Sequence, residues 1–354
     1  MRIHLRAAAL AATIVIAVAL VFAASPVAAR TPGLPLERVR DVRLPGNSSR
    51  YDYQSVDAPG RRLYVAHLGD SALDVIDVDA LTVVATVPDI ADVHGVLAAP
   101  EIGRVFASAT GTNELVTLDA SSDQVIARTP TGKFPDGIAY DPRDDLVLVS
   151  NKDAGSETLV EGLSGRMVRT VQLGHEVGNV AYDPTSALAY VAVRPPDQIV
   201  AFDPTTGATT DRIRLTNCRG AHGLYLQPQT RQAFVACENN AKVVLVDLRN
   251  HRQVAVASVG DNPDVLAYDP GLGRLYVAAE SGTVTAFSRT AARLHKLGEA
   301  HLADKAHSVA VDTTTHFAFF PLERDPKTPG LRVMKPVDRS DGVSSRRLDE
   351  WTGA

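Results

Sequence analysis

The chain has 354 residues, a formal net charge of −5 and only two cysteines. Acidic and basic residues are interspersed, with no basic stripe or run. That argues against nucleic acid as the main partner, because a phosphate backbone demands concentrated positive charge. Val, Gly, Pro and Asp are abundant and helical periodicity is absent, which points to an all-β class.

In chain order, the first element is a leader. Arg2 and Arg6 form a basic n-region, an apolar stretch follows, and Val27-Ala28-Ala29 reads as a small-residue cleavage box. Residues 1–29 are therefore expected to be a signal peptide, with the mature chain starting at Arg30. The alternative is a retained anchor, since the apolar run is nearly long enough to span a bilayer. The cleavage box directly after it favours export, to a periplasmic or extracellular address. No later segment is apolar enough to span. Removing Arg2 and Arg6 and no acid takes the mature charge from −5 to −7.

The rest of the chain is a repeat. Its clearest copy is NVAYDPTSALAYVAV over 179–193, a strand, an Asp-Pro turn and a second strand. Related copies start at 53, 95, 137, 223, 265 and 308. The spacings are 42, 42, 42, 44, 42 and 43, so the period decides the architecture. Each unit carries four strand signals, which in the fourth unit are 180–182, 189–193, 198–203 and 210–214. Four strands per ~40–45 residues is the pattern of a propeller blade.

The ends predict how the ring closes. The seventh unit supplies three strands, 309–312, 317–320 and 331–335, and then loses its pattern. Residues 37–44, ERVRDVRL, stand ahead of the first unit and fit the missing fourth strand. Pairing the two termini in one blade removes open sheet edges. The expectation is a single seven-bladed β-propeller domain over 30–336, monomeric, with a disordered tail over 337–354.

YVAH at Tyr64, YVAV at Tyr190, FVAC at Phe234 and YVAA at Tyr276 resemble the Tyr-Val-Thr-Asn repeat. So do the approaches GKFPDGIAYDP at Gly132 and GDNPDVLAYDP at Gly260. Over nearly all the mature chain the sequence resembles secreted YVTN-repeat (YncE-like) propellers. The resemblance implies a seven-bladed ring but no reaction, since related rings include lactonases, streptogramin lyases and haem- or copper-bearing domains.

In such a ring, the residue just before each repeat start lies in the loop entering the innermost strand and crowds the channel mouth. These residues are Asp52, His94, Asp136, Gly178, His222, Asp264 and His307. Only ten histidines exist, and three of them occupy this one position. Fifteen residues after each start come Leu68, Thr110, Lys152, Arg194, Glu238, Glu280 and Glu323, with His67 and Asn151 one position earlier. This outer ring is split by sign, cationic on blades 3 and 4 and acidic on blades 5 to 7.

Such a funnel suits a small polar molecule or a divalent metal. His94, His222, His307, Asp136 and Asp264 offer imidazole and carboxylate ligands for zinc, copper or manganese. The plainer alternative is that the Asp and His side chains only bond backbone amides at loop turns, especially in Pro135-Asp136 and Pro263-Asp264. Cys218 and Cys237 flank this face and are expected to pair, closing a short loop worth roughly 3 kcal/mol. No GxSxG elbow, HExxH helix, P-loop or dinucleotide fingerprint occurs, so no nucleotide cofactor is expected. Without CxxCH, covalent c-type haem is excluded. Three functions follow: a binding propeller using the funnel, a metal-dependent lactonase or lyase on the same face, and a protein-interaction platform.

Overall fold

The computed structural model describes residues 33–47, 49–323 and 330–337. The expected signal peptide lies outside these residues, as does the expected tail beyond Val337. The described chain forms seven four-stranded antiparallel sheets. Six follow chain order; blade 4, for example, runs Glu176–Asp183, Leu188–Arg194, Gln198–Phe202 and Thr209–Arg214. The seventh is made of Ala310–Asp312, Phe317–Leu322, Gly330–Pro336 and then Leu36–Arg43 from the other end of the chain. Leu36 pairs with Pro336 and Arg43 with Gly330, so the ring closes as the terminal sequences predict.

Burial explains why the strands read as they do. The second and third strands of a blade are covered on both faces by neighbouring blades, so they are near-continuous apolar runs. Ala189 to Val193 is fully buried in this way. Outer strands have one wet face and alternate, as in Thr82–Val87. The repeated aromatic fills the space between blades. Tyr190 of blade 4 shares a buried cluster with Leu224, Val235 and Val244 of blade 5, and Tyr64 of blade 1 shares one with Val105 and Val116 of blade 2.

The Asp of the repeated turn, followed by Pro in blades 3, 4 and 6, is a turn-forming residue. Asp57, Asp141, Asp183, Asp269 and Asp312 each accept a hydrogen bond from a backbone amide two or three residues on, at 2.8 to 3.1 Å. The same hairpin ends in a left-handed residue in every blade: Arg61, Gly103, Asp145, Ala187, Arg231, Gly273 and His316. The backbone repeats there although the side chains do not.

Candidate functional site

The inner strands of blades 1 and 7 are entered from loops that carry Asp52 and His307, as expected. In blades 2 to 6 each opens on a β-bulge, with register shifts at Val93/Val96, Pro135/Ile138, Val177/Val180, Ala221/Leu224 and Pro263/Leu266. The residues singled out by the repeat, His94, Asp136, Gly178, His222 and Asp264, sit inside these bulges. A bulge re-aims a side chain that would otherwise alternate across the sheet. The loop expectation is thereby corrected for these five blades. Asp136 and Asp264 accept no backbone amide among the described residues, so the turn-bonding alternative does not account for them.

The bulges converge because neighbouring backbones come close. A Cβ on Gly95 would stand 2.0 Å from the Asp136 carbonyl oxygen. One on Gly178 would stand 2.5 Å from the His222 carbonyl oxygen, which explains why this member of the ring is glycine.

A cavity of about 620 Å³ opens at this end of the channel. Asp52, His94, Asp136, His222 and Asp264 line it, together with Leu68, Thr110, Lys152, Glu238 and Glu280 from the outer set. Both sequence registers therefore share one face. His222 Nε2 lies 3.8 Å from Asp136 Oδ2, 3.7 Å from Glu238 Oε1 and 3.6 Å from Asp264 Oδ1. His307 is buried against the same group, with Nε2 3.9 Å from both Asp52 Oδ1 and Asp264 Oδ2. His94 Nε2 is 3.8 Å from Asp52 Oδ2.

Two rings have a defined orientation. His94 Nδ1 is 2.8 Å from the Asp92 carbonyl and His307 Nδ1 is 2.7 Å from that of Lys305. Each Nδ1–H donates there when the ring is neutral, which turns the Nε2 lone pair to the site; that of His307 accepts from Arg50 Nη2 at 3.4 Å. Burial holds the Asp52 carboxyl well above its usual range, with His307 and Arg50 opposing and Asp264 and Asp136 reinforcing. For His307, burial pulls the imidazole down, but Asp264, Asp52 and Glu280 outweigh it and leave it above its ordinary value. Burial also opposes ionisation of Glu280, yet His307 and Arg50 hold its carboxyl below the usual range.

Other expected residues are placed differently. His67 is turned into blade 1, stacked on Tyr51 at 4.3 Å, 2.9 Å from Ser49 Oγ and 3.3 Å from Asp74 Oδ2, and it does not line the cavity. Asn151 is likewise buried, accepting from the Gly132 amide at 2.9 Å. Glu323 is buried and outside the lining, its carboxyl raised by burial. The expected split of charge around the rim is closed by ion pairs. Arg194 binds Glu238 and, at 2.6 Å, Glu176, while Arg50 binds Glu280 at 2.6 Å. Lys152 sits over the Phe134 ring at 5.4 Å.

Tyr53, Arg50 and Phe134 line the cavity without having been singled out by the sequence. Tyr53 directly follows Asp52, and that adjacency was its only signal. Its hydroxyl donates to Asn179 Oδ1 at 2.9 Å and lies 3.3 Å from Asp264 Oδ1, reaching from blade 1 to blades 4 and 6. Tyr53 also lines a second cavity of about 310 Å³ between the inner strands. It partitions the channel.

Cys218 and Cys237 form the expected disulfide, with a Cα separation of 5.2 Å. It ties the segment before His222 to the strand end before Glu238.

No family model matches the chain, and no curated protein matches it in sequence. Solved structures do match in shape. Hydrazine synthase of Kuenenia stuttgartiensis aligns with a TM-score of 0.69 and 13% identity, over 81% of this chain and 96% of that one. U3-55K aligns at 0.69 and 11% identity over 83% and 98%. The RRP9 WD40 repeats align at 0.72 and 11% identity over 87% and 99%. At these identities the likeness is one of fold, and the fold is the seven-bladed propeller.

Proposed function

We propose that the chain is an exported, YVTN-like binding propeller whose funnel cavity takes a small polar ligand together with a divalent cation. One observation carries this reading. Asp52, Asp136 and Asp264 are buried at the channel mouth and face imidazoles, and none forms a salt bridge with Lys or Arg among the described residues. Burying unpaired carboxylates is expensive, and a bound cation offsets that cost. The 3.6 to 3.9 Å separations are too long for hydrogen bonds. They come close to the spacing of two ligands on one ion, about 3.4 Å for tetrahedral bonds of about 2.1 Å.

Export is supported by the leader-like residues 1–29 and by a disulfide of the kind that persists in oxidising compartments. No helix among the described residues is long and apolar enough to cross a membrane.

The test is elemental mass spectrometry of the purified mature protein beside the His94→Ala/His222→Ala/His307→Ala variant. Stoichiometric metal in the native protein and its loss in the variant are expected. Failure of the native protein to take up zinc, copper, manganese or calcium on reconstitution overturns the reading.

A second reading, a metal-dependent hydrolase or lyase of lactone type, rests on His94. Its side chain is 16% exposed to the cavity and its Nε2 lone pair is free when the ring is neutral. That is the geometry of a general base. Turnover of lactones or cyclic esters by the metal-loaded protein, abolished in His94→Ala, would select it.

A further inference from the structure

Two sets of potential ligands meet at the channel mouth and share one residue. Asp52, Asp264 and His307 form one set, and His222, Glu238 and Asp264 the other. Within each set the ligand atoms lie within 4.8 Å of one another. Asp264 divides its carboxylate between them: Oδ1 faces His222 Nε2 at 3.6 Å, and Oδ2 faces His307 Nε2 at 3.9 Å. We infer that the channel mouth holds a pair of divalent transition-metal ions bridged by Asp264, one on His222 and Glu238, the other on His307 and Asp52. A carboxylate used through both oxygens suits a two-metal centre, where the ions stand about 3.5–4 Å apart.

A second observation points the same way. Asp52 is 2% exposed, and its Oδ1, the atom facing His307, accepts no hydrogen bond among the described residues. Asp136, also 2% exposed and on the cavity wall, has an Oδ1 in the same condition. Buried carboxylate oxygens are ordinarily satisfied. Asp52 Oδ1, left over beside His307, calls for a positive partner.

The surroundings orient two of the ligands, Glu238 and His307, as metal sites require. Arg194 holds Glu238 through Oε2, which leaves Oε1 toward His222. The Lys305 carbonyl fixes His307 Nδ1, which leaves Nε2 toward Asp52 and Asp264. The mixed imidazole and carboxylate donors favour zinc, cobalt or manganese over calcium or magnesium. The two positions are unequal. Arg50 Nη2 donates to His307 Nε2 at 3.4 Å when the ring is neutral, so a cation there must displace this donor and meets a fixed positive charge. The His222 position therefore fills first.

This inference rests on the cation-binding reading above, and one experiment separates their failures. The full mature chain is titrated with manganese, zinc and cobalt, bound metal is counted, and the manganese form is read by electron paramagnetic resonance. Two ions per chain are expected, the second at least tenfold weaker, with an exchange-coupled manganese spectrum. His307→Ala and His222→Ala should each retain one uncoupled ion, and Asp264→Asn should lose the coupling. Circular dichroism melts check that each variant is folded. One ion per chain at saturation, or two without coupling, overturns the bridged pair while leaving the cation site standing. No bound metal of these three kinds overturns the bridged pair, and with no uptake of copper or calcium either it overturns both.

Discussion

Tyr53 of blade 1 places its hydroxyl 2.9 Å from Asn179 Oδ1 of blade 4, so one phenol spans the channel of the ring. Its hydroxyl also approaches Asp264 at 3.3 Å. Tyr53→Phe leaves a buried amide oxygen without this donor, a loss of about 1–2 kcal/mol. Chemical denaturation measures it. The same variant should weaken cation binding, because Asp264 loses a neighbour that fixes its orientation.

The disulfide makes a separate forecast. Replacing Cys218 and Cys237 by Ser opens a loop of sequence separation 19. The expected cost is roughly 3 kcal/mol in unfolding experiments. Because the bridge flanks His222 and Glu238, metal titration should show the tighter position weakened more than the other.

Gly178 is the one member of the inner ring without a functional group. Gly178→Ala would put a Cβ 2.5 Å from the His222 carbonyl oxygen and 2.6 Å from its Cα. The overpacking should cost about 1–3 kcal/mol, seen as a lowered melting temperature. Cation affinity should fall with it, since blade 5 must move to make room.

Glu157 of blade 3 supplies a pH dependence away from the site. It is fully buried, Ser150 Oγ donates to its Oε1 at 2.7 Å, and Oε2 has no partner among the described residues. Burial holds its carboxyl well above the usual range, with the Ser150 bond opposing. The folded state thus keeps a proton that the unfolded chain has released. Stability should fall as pH rises from the ordinary glutamate value of 4.5 toward the raised folded value, then level off. Glu157→Gln should remove this slope and exceed the native protein in stability at pH 8, as denaturation at several pH values would show.

Much of the site was legible because the repeat is also a coordinate system. A period of 42 to 44 residues places every residue just before a repeat start at the same height on the ring. His94, Asp136, His222 and Asp264 line one cavity for that reason, and five of the seven residues fifteen positions on line it with them. His67 shows the limit: its position was read correctly along the chain, but its side chain points into the blade, where Tyr51 and Asp74 hold it. A one-residue difference along a strand reverses the face, and no repeat period reports which face a loop-end residue takes. Arg50, which neutralises Glu280 from a distance of 230 residues, had no local signal at all.

The sequence by itself determined the seven units, their four strands, the closure of blade 7 by residues near 37–44 and the face carrying the polar groups. These follow from periodicity, turn chemistry and the need to leave no open sheet edge, all of which are local or additive along the chain. Only the tertiary structure decided that bulges re-aim the inner residues of blades 2 to 6, that Tyr53 divides the channel, that Arg194 and Arg50 cancel the charged rim, and that Asp264 faces two histidines at once. Each of these depends on distances between blades, and those are set by ring closure and packing of all seven sheets together.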